Sequence, residues 1–567
     1  MILFLRRLML AAASLYPFGF LAAQASGVPL NSPTYYILDR LDILTGIPNP
    51  IHPELKYFSR QDVVAYAVKL DSQATNLTPR DRADVQYLFD DNNEWLPDSS
   101  RFLRRNQRPV FRTFYKTPAN LFEVNVPDFQ MRVNPLLNLQ LAREQGDAQL
   151  LFQNQRGLEI RGTVDRKLFF YTSILESQAR FPGYVSSRIL EYQSIPGAGF
   201  FKNYNPRIVD VRNAYDFNVA SAYLGLHVTR HVSLQLGHGR HFIGNGYRSL
   251  LLSDYANNGF YLKLSTRVWR FHYQNLFMEL SPSSPRQAGG DERLPKKYVA
   301  LHYLNFKVTP RLSFAFFEAT VFNRSRQFEF QYLNPVILYR TVEGMLGSPD
   351  NVLIGLDGHW NLLRRFQLYS QVMLDEFSVA SVIKPDQKGW WGNKFGLQAG
   401  LKYMNAFGVD HLDVQLEFNA VRPYTYSHRD SLNSYTHFNQ PLAHPLLANF
   451  KELIGIARYQ PTPRWLFVAR LMRGRTGDDT ATENWGTNPL LDYTSRVRDY
   501  GNKIGQGVGA TINLVGLDVS WMLYHNLYVD AKVLLRKKDS VEDARDQSTK
   551  LFGVGLRMNI WHPNLDF

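Results

Sequence analysis

Apolar and polar residues take turns along much of this chain with a period of two. Near the end, Phe552, Val554, Leu556, Met558 and Ile560 are apolar, Gly553, Gly555, Arg557 and Asn559 between them are small or polar, and Trp561 closes the run. Leu158, Ile160, Gly162 and Val164 alternate with Glu159, Arg161, Thr163 and Asp165. Leu412, Val414, Leu416, Phe418 and Ala420 alternate with Asp413, Gln415, Glu417 and Asn419, and Val529, Ala531, Val533 and Leu535 with Asp530, Lys532 and Leu534. Successive side chains of a strand point to opposite faces, so each segment has one greasy face and one polar face. A charged inner face is costly in a dry sandwich core and natural in a barrel with lipid outside and a polar lumen. Spans of ~9–11 residues plus connections, over roughly 450 residues, predict about 14 to 18 strands, an even number. The expected fold is an all-β transmembrane barrel of antiparallel strands over residues 115–567. Protein is expected to fill its lumen, with Gly553 and Gly555 leaving room for it.

Ahead of the barrel the period changes. Residues 26–100 read as helical, with Ser32-Pro33, Ser59 and Thr78-Pro79 as starts. Ser and Thr cap free N–H groups, and Pro is tolerated at the first helical position. Asp62 and Asp81 follow their caps by three residues, where a carboxylate meets the positive helix end. Ile37, Leu41 and Leu44 form one apolar stripe, and Val85, Leu88 and Phe89 another. These features predict a small three-helix bundle on the periplasmic side, against or inside the barrel mouth. Residues 101–114, with Arg101, Arg104, Arg105, Arg108 and Arg112, form a basic connector. It reads either as a solvated linker or as a contact with lipid headgroups or an acidic lumen.

Residues 1–25 read as a cleaved signal peptide: Arg6 and Arg7, an apolar run from Leu8 to Leu21, then Ala23-Gln24-Ala25. Past it no apolar run is long enough for a transmembrane helix. The chain has no cysteine, which excludes a disulfide framework and thiolate metal sites. Its 31 Tyr and 38 Phe suit strands and interfacial girdles. A formal net charge of +14 on an exported barrel points away from nucleic acid and toward lipopolysaccharide or an acidic surface polysaccharide, unless the excess is spread over lumen and loops.

The segments 181–205, 281–296, 383–393, 427–449 and 474–502 are rich in Gly, Pro, Ser, Asn and Asp and read as extracellular loops. Two stretches carry chemistry. In Gly237–Ser249, Arg240, His241, Asn245, Tyr247 and Arg248 offer donors to a sugar or anion, with a strand end and an Asn245-Gly246 turn as the plainer reading. In the second, Tyr424, Tyr426, His428, Tyr435, His437, Asn439 and Gln440 suit carbohydrate, because flat CH faces stack on rings and hydroxyls pair with amides and imidazoles. The same composition suits a self-packed loop sealing the barrel. His428, His437 and His444 match no metal spacing, so no metal or cofactor is expected. Glu159 with Arg161, and Arg340 with Glu343, are expected as lumen polar pairs. The pair Asp254 and His241 and the pair Asp375 and Glu376 are tied to no nucleophile, so an enzyme is not expected.

The stretches GHGRHFIGNGYRSLLLSDY, YQNLFMEL, YLNPVILYR with GSPDN beyond it, LYSQVMLDEF and RPYTYSHRDSLNSYTHFNQPLAHPLLANF resemble the Bacteroidota branch of the Wzi-type capsule-assembly proteins. That branch includes the RemB-type gliding-motility proteins. The resemblance covers nearly all the mature chain. It implies an outer-membrane barrel of about 18 strands with a periplasmic helical bundle, acting as a surface lectin that holds capsular polysaccharide without cutting or polymerising it. For RemB-type members it implies a contribution to gliding. No catalytic or sugar-binding residues carry over. The expectation is a non-enzymatic, monomeric outer-membrane protein whose partners are capsular or other surface polysaccharide and lipopolysaccharide. A gliding-motility surface protein, with gliding components as partners, and a porin-like channel are the alternatives.

Overall fold

A computed structural model describes residues 26–567, except 76, 103, 206–210, 286–292, 325–326, 348–349 and 562–564. The expected signal peptide, 1–25, lies outside the described residues. One antiparallel sheet of twenty strands closes on itself. Two of them, Phe122–Val126 and Lys202–Tyr204, are short additions to the edges of longer strands. The other eighteen form the wall, from Phe129–Glu144 to Gln547–Met558, in agreement with the sequence reading. The last strand pairs with the first from Leu137↔Met558 to Glu144↔Leu551. No helix among the described residues is long and apolar enough to cross a membrane; the crossing is made by strands.

Period-two alternation sets which way each side chain points. On the closing strand Phe552 and Val554 face outward, 58% and 49% exposed, while Thr549 and Leu551 are buried inside. Asp413, Glu417 and Asn419 are buried in the lumen, and Leu416 and Phe418 between them are exposed outside. Aromatic rings gather outside at the end with short turns: Trp465 stacks on Trp521 at 5.7 Å, and Phe271 on Phe306 at 4.7 Å with Trp269 alongside. Such a belt marks one membrane interface.

Three helices, Pro33–Thr45, Arg60–Gln73 and Pro79–Asp91, pack at this end around Leu41, Val63, Tyr66, Leu70, Val85 and Leu88. Only Thr78 makes a side-chain cap, a reciprocal pair with Asp81 (Asp81 N donating to Thr78 Oγ1, 3.1 Å). Ser32 and Ser59 hold the cap position without a side-chain cap bond, and at Ser59 the Arg60 N–H donates to the Ser26 carbonyl instead. Charged bonds tie the bundle to the barrel turns. Arg40 donates to both oxygens of Asp413 at 2.7 and 2.9 Å, Lys402 meets Asp39 at 2.7 Å, and Asn526 donates to Asp91 at 2.9 Å.

The lumen is filled in one half. Segment 51–56 enters from the helical bundle, and segment 240–258 descends from the opposite rim to meet it. Leu55 bridges to Ile243, which bridges to Leu252, and the Gly244 N–H donates to the Glu54 carbonyl at 2.8 Å. Leu250, Leu251 and Leu252 are fully buried there. Beside the strands from Phe450 to Met558, inward side chains such as Val468, Asp530 and Lys532 remain partly exposed. A cavity of about 650 Å³ lies between them and the plug, lined also by Gly553 and Gly555. The expectation that protein fills the whole lumen is corrected accordingly. Two inserted segments cross only part of a barrel this wide, and the room left by the closing-strand glycines stays open.

Candidate functional site

The first predicted stretch is built into the plug. Arg240 donates to the Asp254 carbonyl at 3.1 Å, and Asn245 lies 3.5 Å from His359. The Tyr247 and Arg248 N–H groups donate to Glu417 at 2.6 and 3.0 Å. The Arg248 guanidinium also pairs with Asp566 at 3.1 Å and Glu452 at 3.3 Å. His241 is buried between the rings of Tyr57 and Tyr261, and burial pushes its imidazole well below its ordinary pKa, so it is neutral. These side chains hold the descending segment in shape.

The second predicted stretch forms a seal across the end with long loops. The Tyr426 and Tyr435 hydroxyls donate to the carbonyls of Leu250 and Leu251, each at 2.8 Å, and the Tyr424 hydroxyl to Asn484 at 2.9 Å. His437 accepts from the Ser281 N–H at 3.0 Å and donates to the Asn258 carbonyl at 3.1 Å, which defines a neutral ring; burial lowers its pKa to about 4. Asn439 donates to the Tyr192 carbonyl at 3.0 Å and Gln440 to that of Ser194 at 3.4 Å. All these side chains, and His428, are buried. Of the two sequence readings, the geometry is that of the self-packed seal.

A second layer lies on the solvent side of this seal, and sequence reasoning passed over it. Loops 377–393 and 479–507 bond to each other, with the Trp391 N–H donating to Asp499 at 2.8 Å and Asn502 to Gly389 at 2.9 Å. Together they present Trp390, Trp391, Trp485 and Tyr493, all half-buried. Trp391 sits 4.7 Å from Tyr493, which touches the predicted His428 ring at 5.9 Å. The Arg496 guanidinium lies 4.3 Å over Trp391, and that of Arg498 lies 5.2 Å over Trp485. Gly486, with a φ of +87°, allows the close approach: a Cβ there would meet the Tyr424 nitrogen at 2.5 Å. Part-exposed rings beside guanidinium groups can contact the apolar faces of sugars and pair with carboxylates. The signal was available in Gly389-Trp390-Trp391-Gly392, two adjacent tryptophans inside a loop rather than a strand.

Glu159 and Arg161 join in the lumen at 2.8 Å, and Arg161 also reaches Glu94 of the helical domain at 2.9 Å. Arg340 and Glu343 meet at 2.6 Å, but on an exposed helix outside the wall, which corrects their expected lumen placement. The loop carrying them packs on outward-facing wall residues. Asp375 and Glu376 balance a buried lysine, Lys394, at 2.9 and 3.2 Å. Asp81, Asp84 and His411 cluster at the junction of helix and barrel turn. Arg40 and Arg80 each lie 3.2 Å from one of those carboxylates and already supply positive charge.

These features define a class: an eighteen-stranded outer-membrane-type β-barrel, half plugged by segments entering from both ends and sealed by an aromatic cap. Among solved structures, the fold is similar to that of Wzi, described as an outer-membrane protein involved in group 1 capsule assembly in Escherichia coli and a carbohydrate-binding β-barrel. The two share 12% identity with a TM-score of 0.58, over 95% of this chain and 100% of that one. OprD of Pseudomonas aeruginosa (9% identity, TM-score 0.41, 75% of this chain and 94% of that one) is also similar. So is OccAB2 of Acinetobacter baumannii (9%, 0.41, 76% and 97%). No protein-family model and no curated protein matches the chain. At such identities the likeness to Wzi establishes the architecture.

Proposed function

We propose that this protein is a non-enzymatic component of the outer membrane that binds surface polysaccharide and supports capsule attachment. The binding surface is the layer of Trp390, Trp391, Tyr493 and Arg496 over the seal. The observation that carries this reading is the division of labour in the cap: one set of aromatics is buried and bonded, and a second set stays part-exposed beside guanidinium groups. The carbohydrate binding described for Wzi, a barrel of similar architecture, supports it. The arginines and the +14 charge favour acidic sugars. Purified protein should retain an acidic surface polysaccharide and release it as salt rises, with weaker retention of a neutral dextran. Equal retention of both would remove the role of Arg496 and Arg498.

The cavity beside the closing strands motivates a second reading, a narrow diffusion channel. Basic side chains, among them Arg458, Arg470, Lys532 and Arg557, outnumber acidic ones in its lining, so such a channel would prefer anions.

A further inference from the structure

The cavity beside the closing strands has an ordered wall, because strand register sets its inward side chains in rows. One row runs Arg458, Val468, Asp518, Lys532 and Gly553 across neighbouring strands. The next row, on the short-turn side, runs Leu466, Ser520, Asp530, Gly555, Gln140 and Gln153. The two glycines leave bare backbone in the wall, with charged groups to one side and amides to the other. The outer end is roofed by Phe181, Tyr184, Ile195 and Pro445. The Tyr184 hydroxyl donates to the Leu565 carbonyl, and Arg188 to the Pro445 carbonyl at 2.5 Å. The inner end reaches the short-turn rim at Pro463 and the exposed Arg464. With the cap in place this is a chamber entered from the periplasmic side.

The charges lining it are unevenly matched. Asp530 accepts from Arg557 at 2.8 and 3.1 Å and from Ser520 at 2.6 Å. Asp518 is taken by Arg470, and Asp413 by Arg40. Arg458 donates to the Gln415 amide oxygen at 3.1 Å and lies 5.5 Å over the Tyr36 ring. Among the described residues, neither Arg458 nor Lys532 forms an ion pair with a carboxylate. These two cations stand three strand spacings of ~4.8 Å apart, about 14 Å along the wall. A single small anion does not reach both; a chain carrying several carboxylates does. Hydroxyls and amides such as Ser520, Gln140 and Gln153 bond to the hydroxyls of such a chain. The volume, about 650 Å³, lies within the ~300–1,000 Å³ of sites that enclose a small organic ligand.

We infer that the chamber binds a short acidic oligosaccharide, a run of uronic-acid-type sugars, entering from the periplasmic side. Arg458 and Lys532 pair with carboxylates on different rings of the ligand. Gln140, Gln153 and Ser520 take its hydroxyls, and the bare backbone at Gly553 and Gly555 gives the rings room. The chamber is separate from the ring layer over the cap, and its binding stands whether or not that layer holds polysaccharide.

The chain has no cysteine, so Val468→Cys, in the row between Arg458 and Lys532, places a single thiol in the chamber and reads this site alone. In the purified, folded barrel a small uncharged thiosulfonate should label it. Trigalacturonate at ten times its Kd should slow the labelling about tenfold. Maltotriose and inorganic phosphate should leave the rate unchanged. Adding Arg458→Gln and Lys532→Gln should raise the trigalacturonate concentration for half protection by more than about tenfold. Lys532→Gln alone serves if that combination does not fold as a barrel. A thiol that the reagent does not reach, or that trigalacturonate does not protect, overturns the inference. So does equal protection by maltotriose or phosphate, or a half-protecting concentration that the charge variants leave unchanged.

Discussion

Glu54 shows how a single side chain holds the plug. Burial acts to raise its carboxyl, but the adjacent His359, at 2.6 Å, and hydrogen bonds from His359 and Ser313 outweigh burial and hold it below the usual carboxylate range. A depressed carboxyl contributes stability that is present above the ordinary range and is lost only as pH falls through the lower, folded-state value. Glu54's own contribution to docking of segment 51–56 should therefore be unchanged between pH 7 and pH 5, while buried His52, whose imidazole burial holds down to about 3, weakens docking as pH falls below the ordinary imidazole value. Glu54→Ala leaves His359 buried without its partner, a loss of about 3–5 kcal/mol. Hydrogen exchange at the Lys56 and Gly244 amides, both bonded across this junction, reads the two effects. Equal protection in variant and wild type would show that Glu54 does not clamp the plug. At this scale the sequence was least legible. Tyr426, Tyr435 and His437 have the right chemistry for a sugar, but the same rings and donors satisfy buried carbonyls, and nothing in a loop's composition tells the two apart.

Elements were more legible, because a strand's period of two is written in the residues themselves. Leu416 and Phe418 outside, with Asp413 and Glu417 inside, follow directly from alternation. The path of a loop does not, since it depends on partners far away in sequence: segment 240–258 is held down by Glu417 and Glu452, and the loop after Phe322 by Tyr273 and Asn275. Gly400 links a strand to such a path. A Cβ there would come 2.0 Å from the Tyr369 ring, whose hydroxyl donates to Glu417 at 2.8 Å, and Glu417 in turn accepts from the Tyr247 and Arg248 N–H groups. Gly400→Val should displace the ring, loosen the descending segment and cost about 1–3 kcal/mol. The check is a lower temperature for loss of the folded band on electrophoresis, together with faster proteolysis within 240–258. An unchanged pattern would show that Tyr369 does not set the position of this segment.

As a whole, the molecule is a closed wall with a polar interior, blocked on one side of the lumen and capped above. The two plug segments meet at Leu55, Ile243 and Leu252, the cap bonds to them at Leu250 and Leu251, and a cavity stays open beside the closing strands. In planar bilayers the intact protein should pass little steady current, and removal of Ser427–His444 should raise it. Large steady currents from the intact chain would favour the channel reading. The central claim concerns the outer layer of the cap. Each half-buried ring should contribute about 1 kcal/mol to binding, so the double variant Trp391→Ala/Tyr493→Ala should weaken the affinity for an acidic surface polysaccharide roughly thirtyfold. Equilibrium binding of that polysaccharide to the purified wild type and double variant, both confirmed as folded barrels, is the most direct test. The predicted result is tight binding by the wild type and a loss of that size in the variant; equal binding by the two proteins would contradict it.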